Sequence, residues 1–179
     1  MENARILSGK AHVLGENVDT DMIISGKYVS TTDQNELARH VLECVDPDFA
    51  SKVSPGDFIV GGKNFGCGSS REMAVDLLAY IGIKVIVAPS FARIFYRNAI
   101  NLGLLVIECP EIDKAVCDGD VVTYDLDTGI VTDTNNGEEK KGSILPDFLL
   151  NIWEQGGAVK ALKNKSNKSD LNDTFELQS

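Results

Sequence analysis

Twelve consecutive residues, Gly61-Gly62-Lys63-Asn64-Phe65-Gly66-Cys67-Gly68-Ser69-Ser70-Arg71-Glu72, carry the densest chemical signal in this 179-residue chain. They lie between an apolar run, Phe58-Ile59-Val60, and a segment with helical spacing. Glycines at such a junction let the backbone come close to a ligand, and the amides of a helix start point toward it with the positive end of the helix dipole behind them. Ser69 and Ser70 add hydroxyls, and Arg71 adds a planar fork that matches a carboxylate or a phosphate. The loop could therefore grip an acid at one end and present a hydroxyl to the neighbouring carbon. A plainer reading has the glycines making only a strand-to-helix turn, the serines capping the helix and Arg71 pairing with a surface carboxylate.

Nucleotide chemistry does not fit these letters. Gly61 to Gly66 has the Walker spacing, but Cys67 stands where a lysine is needed, and Gly66-Cys67-Gly68-Ser69-Ser70-Arg71 lacks the third glycine of a dinucleotide loop. Cys67 near a helix start could be an activated thiolate, yet both histidines are remote in sequence, and a small buried cysteine is the expectation. Cys44, Cys67, Cys109 and Cys117 form no CxxC pair, and His12 and His40 fall into no HExxH spacing. Free thiols and no bound metal are therefore expected. Seventeen Lys and Arg against 27 Asp and Glu give a formal charge of -10. That balance argues against nucleic acid or an anionic membrane as partner and demands a local basic site for any anionic substrate. The N-terminus has no apolar core of signal-peptide length and no later run is long enough to span a membrane, so a cytoplasmic location is expected.

The elements that must position the loop read as α/β. Ala4 to Leu7 and Ala11 to Leu14, separated by Ser8-Gly9-Lys10, predict an opening strand pair. Asp33 with Glu36 three residues on predicts a capped helix through Leu37, Val41 and Cys44 to Val45. Phe58 to Val60 is a strand; Ser70 to Ile81 is a helix closed by Gly82; Val85 to Ala88 is a buried parallel strand. Ser90 can cap a helix from Phe91 to Leu102, closed by Gly103, and Leu104 to Ile107 forms the next strand. Beyond Pro110, Asp127-Thr128-Gly129 and Asn135-Asn136-Gly137 signal antiparallel hairpins. Pro146 opens a last helix through Trp153, stopped by Gly156-Gly157, with a short helix following through Lys163. One packed domain is expected over 1–163, with 164–179, rich in Asn, Ser, Asp and Lys, as a flexible tail.

The blocks DTDMIISGKY, GKNFGCGSSRE and APSFARIFYRNAINLGLLVIE, in that order, resemble the small-subunit family of 3-isopropylmalate dehydratase (isopropylmalate isomerase), counterparts of the swivelling domain of aconitase and homoaconitase. The resemblance extends over about Ser8 to Leu162. It implies an aconitase swivelling-domain-like fold: a central, mainly parallel sheet flanked by helices, with additional antiparallel strands. It also implies a hydro-lyase active only with a large subunit, which carries the 4Fe-4S cluster, while this chain binds no cofactor. The reaction implied interconverts 2-isopropylmalate and 3-isopropylmalate by dehydration and rehydration in leucine biosynthesis, with one iron acting on the departing hydroxyl.

Matched by position, Ser69 resembles the base that removes the proton from the carbon beside a carboxylate. Ser70 and Arg71 match residues that hold the substrate carboxylate. Asp19, Thr20 and Asp21 match the family's DTD segment, with Thr20 and Asp21 at the edge of the site and Asp21 helping to position polar groups of the other subunit. An Asx-type turn is the plainer account of that segment. Ser90 and Arg93 are expected to be structural, closing a helix start and bracing the loop. In this family the loop after DTD reads the group that differs between substrates. Here it is Gly26-Lys27-Tyr28-Val29-Ser30-Thr31-Thr32, where Tyr28, Val29 and Ser30 are substrate-binding candidates. It has no Arg for a third carboxylate, and Tyr28 and Val29 offer apolar surface, which favours an alkylmalate over citrate or homocitrate. Lys27 is expected to be solvated. Met73 departs from the histidine that many relatives carry and keeps a 2,3-dimethylmalate dehydratase as an alternative; a homoaconitase small subunit is another alternative within the family. From a different class, a stand-alone carboxylic-acid-binding domain is the rival.

Overall fold

A computed structural model of the protein describes residues 5–164. The expected tail over 164–179 lies outside the described residues apart from Asn164. The strands are β1 (Ile6–Val13), β2 (Phe58–Val60), β3 (Val85–Ala88), β4 (Leu105–Glu108), β5 (Val121–Asp125), β6 (Ile130–Asp133) and β7 (Glu139–Lys141). The helices are α1 (Thr20–Ile23), α2 (Gln34–Ala38), α3 (Phe49–Lys52), α4 (Glu72–Tyr80), α5 (Arg93–Leu102), α6 (Ile112–Ala115) and α7 (Asp147–Glu154), with a 3-10 turn over Gly26–Tyr28. Residues 158–164 are also helical.

All seven strands form one sheet in the order β4-β3-β2-β1-β5-β6-β7. From β4 to β1 neighbours run parallel, and from β1 to β7 they run antiparallel, so β1 is the seam. Strand side chains alternate between faces, which explains why the apolar runs are unbroken: both faces of the parallel half are covered. Ile59, Ile86, Ala88 and Val106 enter one core with Leu77, Leu78, Phe95 and Ala99. Phe58, Val60, Val85, Val87, Leu105 and Ile107 enter the other with Val122, Tyr124, Val131 and Leu150.

The expected opening pair is instead the single strand β1. Each residue from Ile6 to Lys10 pairs with β5, and a Cβ at Gly9 would sit 2.2 Å from the Gly56 carbonyl oxygen, so the glycine serves a close approach and no turn. The helix expected to reach Val45 stops at Ala38. Asp33 caps it as expected, accepting from the Asn35 amide, but Leu42 adopts φ 55° and gives its amide to the Ile23 carbonyl. A tertiary hydrogen bond there replaces the helical one. The hairpin turns at 127–129 and 135–137 form as expected, and Gly103 ends α5 at φ 78°. Gly103 is also packed on the end of α7: a Cβ on it would lie 2.7 Å from the Gly156 backbone.

Candidate functional site

The loop after β2 is built by backbone contact with two neighbouring segments. Gly66 gives its amide to the Val18 carbonyl at 2.7 Å, and the Cys67 carbonyl accepts from the Thr20 amide at 3.0 Å, which ties the loop to the segment preceding α1. On its other side Phe65 exchanges backbone bonds with Ser90 and Ala92, and the Ser90 hydroxyl accepts from the Asn64 amide at 2.9 Å. Ser90 therefore braces the loop as expected, but it does not cap the following helix, whose start is at Arg93 with Ala92 before it. Arg93 is exposed and makes no bond to the loop. Gly66, at φ 77°, rests on the Phe95 ring, where a Cβ would come within 2.1 Å of Cγ. Only glycine fits both that backbone conformation and that contact.

This bracing lifts residues 68–70 to the surface. Ser69 and Ser70 are exposed, and α4 begins two residues later than the spacing predicts, at Glu72. Neither serine caps it. The amides of Ser70, Glu72 and Met73 meet no acceptor among the described residues, as expected near an uncapped helix start. The Ser69 hydroxyl lies 3.2 Å from Thr20 Oγ1, and the same threonine oxygen donates to the Ser69 carbonyl at 3.1 Å. Thr20 itself is buried. Its position is set by Asp19, whose carboxylate caps α1 by accepting from the Met22 amide at 2.7 Å. The Asx-type turn and the threonine contact to Ser69 are thus parts of one arrangement.

Arg71 is half-buried and turns its guanidinium to the Asp21 carboxylate and, at 3.2 Å, to the Ile24 carbonyl. The hydrogen bond and charge of Arg71 hold the Asp21 carboxyl below the usual carboxylate range. The pairing of Arg71 with a carboxylate belonged to the plainer reading, yet the carboxylate is that of the DTD segment, so Ser69, Arg71, Thr20 and Asp21 are brought together. The turn over 26–30 is next to them: a Cβ on Gly26 would lie 3.3 Å from Arg71 Nη2. Val29 and Ser30 are exposed there. Tyr28 is half-buried: its ring stacks on His40 at 4.2 Å and its hydroxyl meets Glu43 and His40. Lys27 is exposed but reaches Glu43 at 2.7 Å. Met73 packs against the first core. Sequence reading misses Glu43 and His40 because their contacts to the turn are made only by the irregular backbone at Leu42.

Cys67 is half-buried and gives its thiol to the Asn17 carbonyl, while His12 pairs with Asp57 and His40 with Glu43, so no histidine serves the thiol. Burial pushes the Cys109 thiol up to about 11. Among the described residues no three His, Cys, Asp or Glu side chains gather in a way that could hold a metal ion, and the four cysteines do not fit a cluster. No helix among them is long and apolar enough to cross a membrane.

Comparison with known proteins places relatives beside this geometry. Residues 10–112 match the model of the aconitase C-terminal domain. The chain is 51% identical over 160 residues to the 3-isopropylmalate dehydratase small subunit 1 of Methanopyrus kandleri, covering 89% of this chain and 94% of that one. It is 47% identical over 151 residues to the 2,3-dimethylmalate dehydratase small subunit of Eubacterium barkeri, covering 84% and 93%. The crystal structure of 3-isopropylmalate dehydratase from Methanocaldococcus jannaschii superimposes with a TM-score of 0.86 at 46% identity, over 93% of this chain and 99% of that one.

Proposed function

This chain belongs to the aconitase C-terminal domain family, and on that premise we propose that it is the small subunit of a 3-isopropylmalate dehydratase, a hydro-lyase of leucine biosynthesis. It interconverts 2-isopropylmalate and 3-isopropylmalate together with a large subunit. The 4Fe-4S cluster that this chemistry uses belongs to that partner, since the cysteines here do not fit one. The pair works in the cytoplasm.

One observation carries the reading: an exposed serine stands just before an uncapped helix start, its hydroxyl bonded to a buried threonine and two residues from a fixed arginine. A serine is a poor base unaided. Thr20 Oγ1 has one proton to give, and turned from the Ser69 carbonyl to Ser69 Oγ as charge develops it stabilises that charge. The free amides of Ser70, Glu72 and Met73 and the Arg71 guanidinium favour an anion at the same place. Ser69 takes the proton from the carbon next to a carboxylate that Ser70 and Arg71 hold, and Asp21 keeps Arg71 oriented. Exposure of this group in the isolated chain suits a site completed by a second polypeptide.

The test mixes the purified chain with its candidate large subunit and follows alkene absorbance from 2-isopropylmalate. Turnover is expected in the mixture and in neither component alone. Acid binding by this chain alone with no turnover in the mixture would establish the stand-alone binding domain instead. A second substrate reading, 2,3-dimethylmalate, rests on the Eubacterium barkeri relative and on Met73. Rates on the two acids separate these readings.

A further inference from the structure

Lys27, Tyr28, His40 and Glu43 form a cluster that the chemistry at Ser69 does not use. Glu43 is its hub. One carboxylate oxygen accepts from Lys27 Nζ at 2.7 Å, the other lies 2.6 Å from His40 Nδ1, and the Tyr28 hydroxyl donates to the pair at 3.0 and 3.1 Å. The Tyr28 oxygen is also 2.9 Å from His40 Nδ1, and the two rings stack. Lys27 Nζ lies over the Tyr28 ring at 4.7 Å, so two successive residues of the turn are held from below by one carboxylate. The hub is itself anchored: Leu42 gives its amide to the Ile23 carbonyl at 2.9 Å, and Cys44 gives its thiol to the Met22 carbonyl at 3.3 Å.

On the opposite side the same turn meets the candidate site, where Gly26 abuts Arg71 and Asp21. Between these two supports the backbone carries Val29, 62% exposed, and Ser30 into solvent. The turn's own bonds, from the amides of Tyr28 to Ser25, Val29 to Gly26 and Thr31 to Tyr28, are single contacts of 3-10 span, joined by a long 3.5 Å bond from the Lys27 amide to the Ser25 hydroxyl, and they do not fix such a short segment unaided. Charge-assisted bonds to a half-buried carboxylate do.

We infer that Glu43 is a positioning residue for substrate choice: its carboxylate fixes Lys27 and Tyr28 so that Val29 and Ser30 meet the alkyl group of the malate at one distance from Arg71. This deepens the proposed function and rests on it. Because Glu43 touches the turn and not the reacting hydroxyl, losing it should alter which alkyl group is accepted and leave the chemical step nearly intact.

The experiment compares 2-isopropylmalate with 2,3-dimethylmalate, using the full chain with its large subunit, for wild type, Glu43→Gln and Lys27→Met. Glu43→Gln keeps shape but removes the charge, and Lys27→Met cuts the same contact from the exposed side, which covers the case in which the first variant fails to fold. The KM for the preferred acid is expected to rise about tenfold, on the scale of one hydrogen bond to a charged group, with kcat within about twofold and the preference between the two acids correspondingly reduced. Glu43→Asp should recover part of the preference. If the wild-type pair discriminates and both variants discriminate equally well, the inference is overturned while the functional reading stands. If the wild-type pair turns over neither acid, the functional reading falls and takes this inference with it.

Discussion

Replacing Thr20 by valine separates a positioning role from a merely structural one. The side chain is buried, and valine fills almost the same volume, so no cavity opens. What disappears is a hydroxyl with two contacts, the Ser69 carbonyl at 3.1 Å and the Ser69 hydroxyl at 3.2 Å. Each neutral hydrogen bond contributes about 1 kcal/mol, and Ser69 can turn to water in their place, so the stability loss should be about 1–2 kcal/mol. For a chain of this size that lowers Tm by roughly 3–6 °C. If the same contacts hold the reacting oxygen and stabilise its charge, a similar energy appears in the barrier, and kcat falls about 5- to 30-fold. KM should change by less than about threefold, because Arg71 is held by Asp21 and Ile24 and not by Thr20. Thr20→Ser restores the hydroxyl and should bring kcat back to within about threefold. Turnover is measured by alkene absorbance with the large subunit present, and Tm on the chain alone. A valine variant with lowered Tm and wild-type kcat would refute the reasoning, since it would make Thr20 a brace for the loop and nothing more.

Ser69→Ala should lower turnover by about 10²–10⁴ while leaving assembly with the large subunit intact, as gel filtration of the mixture would report; near-normal turnover would remove Ser69 from the mechanism. Gly66→Ala must place a side chain at φ 77° and within 2.1 Å of the Phe95 ring, so urea unfolding should show a loss of about 2–5 kcal/mol, and a loss under 1 kcal/mol would contradict the account of the loop. The Glu43 carboxyl is pushed down to about 2, first by its bond to Lys27 and then by His40 and Tyr28, against the opposing effect of burial. A folded value below the ordinary one means that its stabilisation is complete above the usual carboxylate range and is lost as pH falls through that range toward about 2. Backbone amides at 28, 29 and 31 should therefore lose protection from hydrogen exchange between about pH 5 and pH 2, relative to their intrinsic rates. Unchanged protection would exclude Glu43 as the support of the turn.

Legibility in the sequence followed the range of the interactions. Strands β2, β3 and β4 were readable because unbroken apolar runs have few other uses, and the hairpins because Asp127-Thr128-Gly129 and Asn135-Asn136-Gly137 carry their own turn chemistry. Belonging to the family was readable from three ordered blocks. The single strand β1 was not, since Ser8-Gly9-Lys10 resembles a turn until β5 is known to pair with it. The early end of α2 depends on the Ile23 carbonyl, and the contacts that hold Tyr28 depend on His40 and Glu43, none of which a local pattern encodes. For the site, the letters supplied Ser69, Arg71, Thr20 and Asp21, while their mutual bonds arose from two backbone bridges between distant segments.

Strand β1 has a further consequence for how the chain comes to be folded. It precedes the other strands in the chain, yet its sheet neighbours begin at Phe58 and Val121, so a nascent chain carries an unpaired edge until β5 has been synthesised. Such pairings between distant segments are slow to close, and an open edge invites association with other chains. A fragment ending before Val121 would keep the loop that carries Ser69 but leave one whole side of β1 bare, and it should precipitate rather than behave as a smaller working unit.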